Sequence, residues 1–174
     1  MSSSQRYRVV FSPEDCVGFI EDNRVAQELA GRWFGCVTDR GLALNTVEIS
    51  YLLVENQALI ESGEELLANI GELMRCAPQC FKDNFWPQLV VYKDLRDRGR
   101  RVKVVSPGVF LVKDKTGTLK LVYVLEEKTN ITGDYLIQSI ERGRSNNMPV
   151  VFAIVSLQGD LTYYEASKID LVKG

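Results

Sequence analysis

Three groupings in this chain have the residue types and spacing to do chemistry. The first is Tyr92-x-Asp94-Leu95-Arg96-x-Arg98-Gly99, in which the carboxylates Asp94 and Asp97 are interleaved with Arg96 and Arg98. Two carboxylates could divide acid and base work, but at a three-residue spacing beside arginines they form a surface ion-pair face of a helix. The second is Lys113-Asp114-Lys115. A lysine in a hydrated turn is a poor proton carrier at neutral pH, so a solvated turn is the expected reading. The third is the cysteine set Cys16, Cys36, Cys76 and Cys80. Cys76 and Cys80 would stand one helical turn apart, yet Pro78 interrupts them, and without histidine only all-thiolate zinc is open. No metal or other cofactor is expected. Buried free thiols are the expected state, with a disulfide open for a hyperthermophile chain.

The absence that decides most is histidine, of which the sequence has none. A reaction that needs a group titrating near neutrality must therefore use a perturbed substitute or a residue on another chain. No glycine-rich phosphate loop, nucleophile elbow or metal-ligand cluster is present either.

The elements that must position these residues follow from composition and pattern. With 174 residues, 45% hydrophobic and 25% charged, the chain can bury a core as one domain or as two small ones. Lys and Arg number 21 against 23 Asp and Glu, which excludes a protein whose whole surface binds nucleic acid but leaves room for a local basic patch. No window approaches the ~20 apolar residues of a membrane span, and Met1-Ser2-Ser3-Ser4 is not followed by an apolar signal core, so a soluble, cytoplasmic protein with no membrane partner is expected.

The pattern predicts a small N-terminal α+β domain over 1–77 and a C-terminal mixed-sheet α/β domain over 78–174. In the first, short β runs at Arg6–Phe11, Val17–Ile20 and Trp33–Val37 precede a helix capped by Asn45 with Glu48 three residues on. The segment Arg24–Ala30 is ambiguous. Ser62 with Glu65 predicts a second capped helix carrying Leu66 to Met74, and Pro78 predicts the first turn of a long helix ending at Gly99. In the second, Arg101–Val105, the hairpin Val109–Lys113 with Thr118–Leu125, a helix over Gly133–Arg144, and strands Val150–Val155 and Thr162–Ile169 are predicted. The apolar run Leu119–Leu125 suits a central strand buried on both faces.

Two motifs in this order, Tyr92-x-Asp94-Leu95-Arg96-x-Arg98-Gly99 and Phe152-Ala153-Ile154-Val155 followed by Gly159-Asp160-Leu161-Thr162-Tyr163-Tyr164, resemble the C-terminal domain of the archaeal tRNA-intron splicing endonucleases. The resemblance covers about Pro78 to Asp170 well and the first half loosely, where Gly35 to Leu44 with Glu48, Tyr51, Leu52 and Leu53 is similar to the family's N-terminal domain. It implies metal-free RNA cleavage, in which a ribose 2′-hydroxyl attacks the adjacent phosphate. A Tyr serves as base, a His as acid and a Lys stabilises the charge. Laid on this chain, those positions fall at Lys113, Gly117 and Met148, and an arginine that stacks on substrate falls at Glu141, so no catalytic residue is expected.

What the resemblance leaves is a scaffold. It implies a four-unit particle, with the final strand joining C-terminal domains in pairs and an acidic turn of one pair seated in a basic cleft of the other. Gly159 and Asp160 match the turn, and Tyr163, Tyr164, Glu165 and Ile169 the joining strand. The expected role is a structural subunit, two copies with two of a catalytic paralogue, acting on precursor tRNA at a bulge-helix-bulge. A stand-alone RNA-binding module and a nuclease with other residues are the alternatives. Arg100, Arg101 and Lys103 are the basic cluster expected to meet RNA.

Overall fold

Alternation of apolar and polar residues from Tyr7 onward builds the first of two sheets. The computed structural model describes residues 5–82 and 84–166, and the chain divides into two units, Met1–Phe85 and Trp86–Gly174.

The first unit runs β1 (Tyr7–Ser12), β2 (Val17–Ile20), α1 (Asn23–Gly31), β3 (Cys36–Thr38), β4 (Gly41–Leu44), α2 (Thr46–Val54), β5 (Ala58–Ser62), β6 (Glu65–Leu67), α3 (Ile70–Cys76) and a 3-10 turn at Pro78–Cys80. Its sheet has the order β3-β4-β2-β1-β5-β6, with β1 and β5 parallel. One face buries Val9, Phe11, Ile20, Leu42, Leu44 and Ile60. On α2 the Asn45 side chain accepts from Glu48 N–H while the Glu48 carboxylate accepts from Asn45 N–H, the reciprocal box expected from the sequence. The same carboxylate, buried at 3% exposure, also accepts from Gly35 N–H. That contact fixes the turn that carries the loosely matching Gly35 motif, and Tyr51, Leu52 and Leu53 lie in the core beside it.

Several expectations are corrected here, and one ambiguity is settled. Residues 24–30 are helical, capped by Asp22, and the strand expected at Trp33–Val37 shrinks to Cys36–Thr38 because Trp33 sits at φ 71°. Ser62 does not cap a helix. It closes β5, Gly63 turns at φ 59°, and Glu65 opens β6, so the pair forms a hairpin, while Asn69 with Glu72 caps the shorter α3. Pro78 starts a 3-10 turn that ends at Cys80 and not the long helix. Finally, Cys16 and Cys80 form a disulfide, leaving Cys36 exposed and Cys76 partly buried as thiols. That bond and a Gln79 Nε2 donation to the Pro13 carbonyl at 3.0 Å hold residues 78–80 to the β1–β2 turn. The chain divides into its two units after Phe85.

The second unit runs α4 (Phe85–Asp97), β7 (Arg101–Ser106), β8 (Val109–Lys113), β9 (Leu119–Glu126), α5 (Gly133–Ser145), β10 (Val150–Val155) and β11 (Leu161–Ala166). The sheet order is β11-β10-β9-β8-β7, antiparallel except for β9 and β10, which α5 connects in parallel. As its apolar run predicts, β9 is central and buried from Leu121 to Leu125. One sheet face packs Val109, Leu121, Tyr123, Leu125, Val150 and Phe152 beneath Leu136 and Ile140 of α5. A Cβ on Gly143 would run into Val150 Cγ2, so the absence of a side chain there is what lets the helix lie on β10. The other face meets α4, with Tyr92 edge-on to Phe110 at 5.8 Å. The α4 exit is closed as its sequence predicts. Gly99 stands at φ 78°, Gly99 N–H bonds the Arg96 carbonyl, and Arg100 N–H bonds that of Leu95. Among the described residues, β11 and β7 are the two sheet edges.

Candidate functional site

The three positions at which the resemblance puts the family's base, acid and charge-stabilising lysine lie at one end of the second sheet. Lys113 ends β8 opposite Leu119 of β9 and Arg101 of β7. Gly117 sits in the β8–β9 turn at φ 88°, and Met148 packs against the core two residues before β10, whose Val150 pairs with Leu121. Strand order thus brings a lysine, a glycine and a methionine to one rim, and none of them is an acid or base suited to neutral pH. Gly99, Arg101, Lys113, Asp114, Lys115 and Gly117 line a shallow hollow there. Among the described residues no group of three His, Cys, Asp or Glu could hold a metal ion.

Asp114 organises the turn and does no more. Its Oδ1 accepts from Thr116 Oγ1 at 2.6 Å, Thr116 N–H at 2.9 Å and Thr118 N–H at 3.0 Å. The Thr116 hydroxyl, then the two backbone donors and the Lys120 charge, hold this carboxyl below the usual carboxylate range. The turn is a self-satisfied, solvated hairpin, as its sequence predicts.

The Asp94 carboxylate does more than face solvent. It accepts from the Tyr163 hydroxyl at 2.6 Å and pairs with Arg98 at 2.9 Å, and Arg98 lies 5.8 Å from the Tyr163 ring. Asp97 pairs with Lys93 at 2.7 Å. Arg96 donates to the Tyr92 hydroxyl and to the Val102 carbonyl at 2.8 Å, so it works as a strut from helix to β7. The motif is therefore a brace between α4, β7 and β11, which its helical spacing alone does not show.

Burial, then the Asp94 bond and charge, push the Tyr163 hydroxyl well above the usual tyrosine value. A pKa raised in the folded state stabilises the fold while the group is protonated. That contribution is complete below about pH 10 and is lost as pH climbs toward the folded value. Tyr163→Phe should cost about 1.5 kcal/mol at neutral pH and flatten the alkaline loss of stability. Urea midpoints across roughly pH 9 to 11 check this, and equal slopes for the two proteins would refute it.

The other expected interface residues surround the β10–β11 turn. Gly159 stands at φ 88°, and Asp160 is exposed, its backbone N–H bonded to Ser156 Oγ at 2.9 Å and its carboxylate without a partner among the described residues. On β11, Tyr163 and Glu165 point to the α4 face and Tyr164 to the other, where it is 56% exposed. Ile169 lies outside the described residues. Of the cluster expected to meet RNA, Arg101 and Lys103 share one face of β7 and Arg100 turns to the opposite side, beside Lys120 and Tyr163. Sequence reading missed Lys120 and the Asp94–Tyr163 bond, since only strand pairing brings β9 and β11 to those positions.

Residues 85–163 match the family model described as tRNA intron endonuclease, catalytic C-terminal domain. Over that stretch the chain is similar to the tRNA intron endonuclease family. It is similar to the tRNA-splicing endonuclease of Pyrococcus horikoshii, 28% identical over 93% of this chain and 92% of that one. The tRNA-splicing endonuclease of Thermococcus kodakarensis is 28% identical over 82% of this chain and 84% of its own length. That of Methanosarcina mazei is 29% identical over 81% of this chain but only 41% of its own length. The endonuclease likeness thus extends well into the first unit, beyond the loose match that its motifs suggest. The chain spans about two fifths of the length of the Methanosarcina relative it matches. No described helix is long and apolar enough to cross a membrane.

Proposed function

We propose that this chain is a non-catalytic, structural subunit of a tRNA-splicing endonuclease, assembled as two copies with two copies of a catalytic paralogue. The observation that carries the reading is chemical. A family whose reaction needs a base, an acid and a cation at one rim has here Lys113, Gly117 and Met148, in a chain with no histidine to substitute. What remains serves assembly. The edge of β11 that is unpaired among the described residues, with Tyr164 exposed beside it, can continue a sheet into a neighbouring domain. The Asp160 carboxylate, presented at a turn tip without a partner of its own among the described residues, can seat among the cations of another subunit. Precursor tRNA would be held by the assembled particle, with this chain setting the separation of the catalytic subunits in the cytoplasm.

The test is reconstitution. The purified chain should leave an intron-containing tRNA intact, and addition of a paralogue that carries Tyr, His and Lys should release the intron. Cleavage by the chain alone, abolished by no contaminant control, overturns the proposal.

A further inference from the structure

Burial alternates residue by residue along β1, β2, β4 and β5, so the first sheet has one face in the core and a second face made of the residues between. A Cβ on Gly18 would run into Val9 and into Ile49 of α2, which places that helix on the core face. On the second face, strand pairing sets Val10 beside Phe19, Ser12 beside Val17, Arg8 beside Leu59 and Glu61 beside Leu66. A sheet face that meets only water is commonly polar. Here Val10, Val17, Phe19 and Leu59 are half-buried and Leu66 is 65% exposed, an apolar surface that runs from β2 across β1 and β5 to β6. Its charges are neutralised within it. Arg8 pairs with Glu61, and Arg40 pairs with Glu21 while its guanidinium lies 4.3 Å from the Phe19 ring centroid.

We infer that this second face is an isologous interface, at which two copies of the chain pack sheet against sheet about a two-fold axis. Neutrality selects the partner. A nucleic acid finds both arginines of this face already held by carboxylates, and a strongly acidic or basic protein finds no opposing charge. A second copy meets apolar side chains with apolar side chains and brings no net charge against its like. The area agrees. Six strands of three to six residues make a face on the order of 29 by 14 Å, so two copies would remove roughly 1,000 Å² of accessible surface, which suits a weak, concentration-dependent dimer. The face lies in the first unit, whereas the β11 edge and the Asp160 turn belong to the second, so the inference does not rest on the subunit assignment. The chain thereby has a surface for its own kind that is separate from those proposed to meet the paralogue.

The test is sedimentation equilibrium of the full chain alone at rising concentration, in a Cys36→Ser background so that no doubled mass comes from a disulfide at that exposed thiol. The mass should move from one copy toward two by roughly 100 μM, the range of a weak dimer. Leu66→Glu, at a side chain already in solvent, and Val10→Thr, which keeps the shape and adds a hydroxyl, should together weaken pairing by about tenfold or more with a native circular dichroism spectrum. Tyr164→Glu, which puts a charge beside the β11 edge and blunts strand addition there, should leave the two-copy mass in place. A single-copy mass at every concentration overturns the inference, whatever other protein the face then takes. So does unchanged pairing in the Leu66→Glu/Val10→Thr variant, and so does loss of pairing in Tyr164→Glu, which would assign self-association to β11. Reconstitution with the paralogue reads the subunit proposal and not this face, so the two can fail separately.

Discussion

Cys16→Ser should lower the stability of the first unit by about 4 kcal/mol. The bond it removes joins residues 64 apart in sequence, Cys16 in the β1–β2 turn and Cys80 in the 3-10 turn. Closing a loop of that length removes conformational freedom from the unfolded chain, and the loss grows with the logarithm of loop length. The native Cα–Cα separation of 5.5 Å lies in the range that a disulfide spans. Cys80→Ser and the double variant should lie close to Cys16→Ser, because each removes the same link. Denaturant unfolding with and without a reductant checks this. Wild type should fall to the level of the variants when reduced, whereas the variants should not respond. A wild type indifferent to reductant would show that the link adds nothing.

Asp160→Ala should weaken assembly with the paralogue by about 2–5 kcal/mol on the proposed architecture. Much of that cost comes from the partner's cations, which would stay desolvated with no carboxylate among them. The turn itself should survive the change, since its bonds are made by Ser156 with the Asp160 backbone and by Gly159 N–H with the Ser156 carbonyl. Sedimentation or size exclusion of the mixture at decreasing concentration is the measurement. Full-sized particles for the variant at concentrations where the wild type has begun to dissociate would remove Asp160 from the interface. Asp160→Asn, which keeps the shape and loses the charge, should behave like the alanine variant if charge is what seats the turn.

The second sheet could be read closely from sequence because each of its strands states its own burial. The uninterrupted Leu121–Leu125 run demands a central place, Gly99 ends its helix by backbone geometry alone, and the 114–117 turn is closed by a single aspartate. The first unit was less legible for a physical reason that Asn45 and Ser62 display together. Both precede a glutamate by three residues. Asn45 does cap a helix, but Ser62 is followed by Gly63, whose positive φ makes a tight turn between strands, and its hydroxyl lies 3.4 Å from Cys76 Sγ instead of capping backbone N–H groups. A local pattern was available to both folds, and tertiary pairing of β5 with β1 chose between them. The disulfide was hidden for the same reason, since the approach of two turns is not written in cysteine spacing. In the candidate site, the want of histidine was legible from composition, whereas the grouping of cations at one end of the second sheet was only half visible. Arg100 and Arg101 stood out as a run, but Lys113, Lys115 and Lys120 join them only once β7, β8 and β9 are paired.

The open side of β11 bears on how the cell must supply this protein. A strand with one side unbonded among the described residues and a large aromatic exposed beside it can accept another strand from a neighbouring chain. On the proposed assembly, a polypeptide made in excess of its paralogue carries a template for indiscriminate self-association, so synthesis of the two chains would have to be kept in proportion. Surplus copies are the ones that quality-control proteases should remove first.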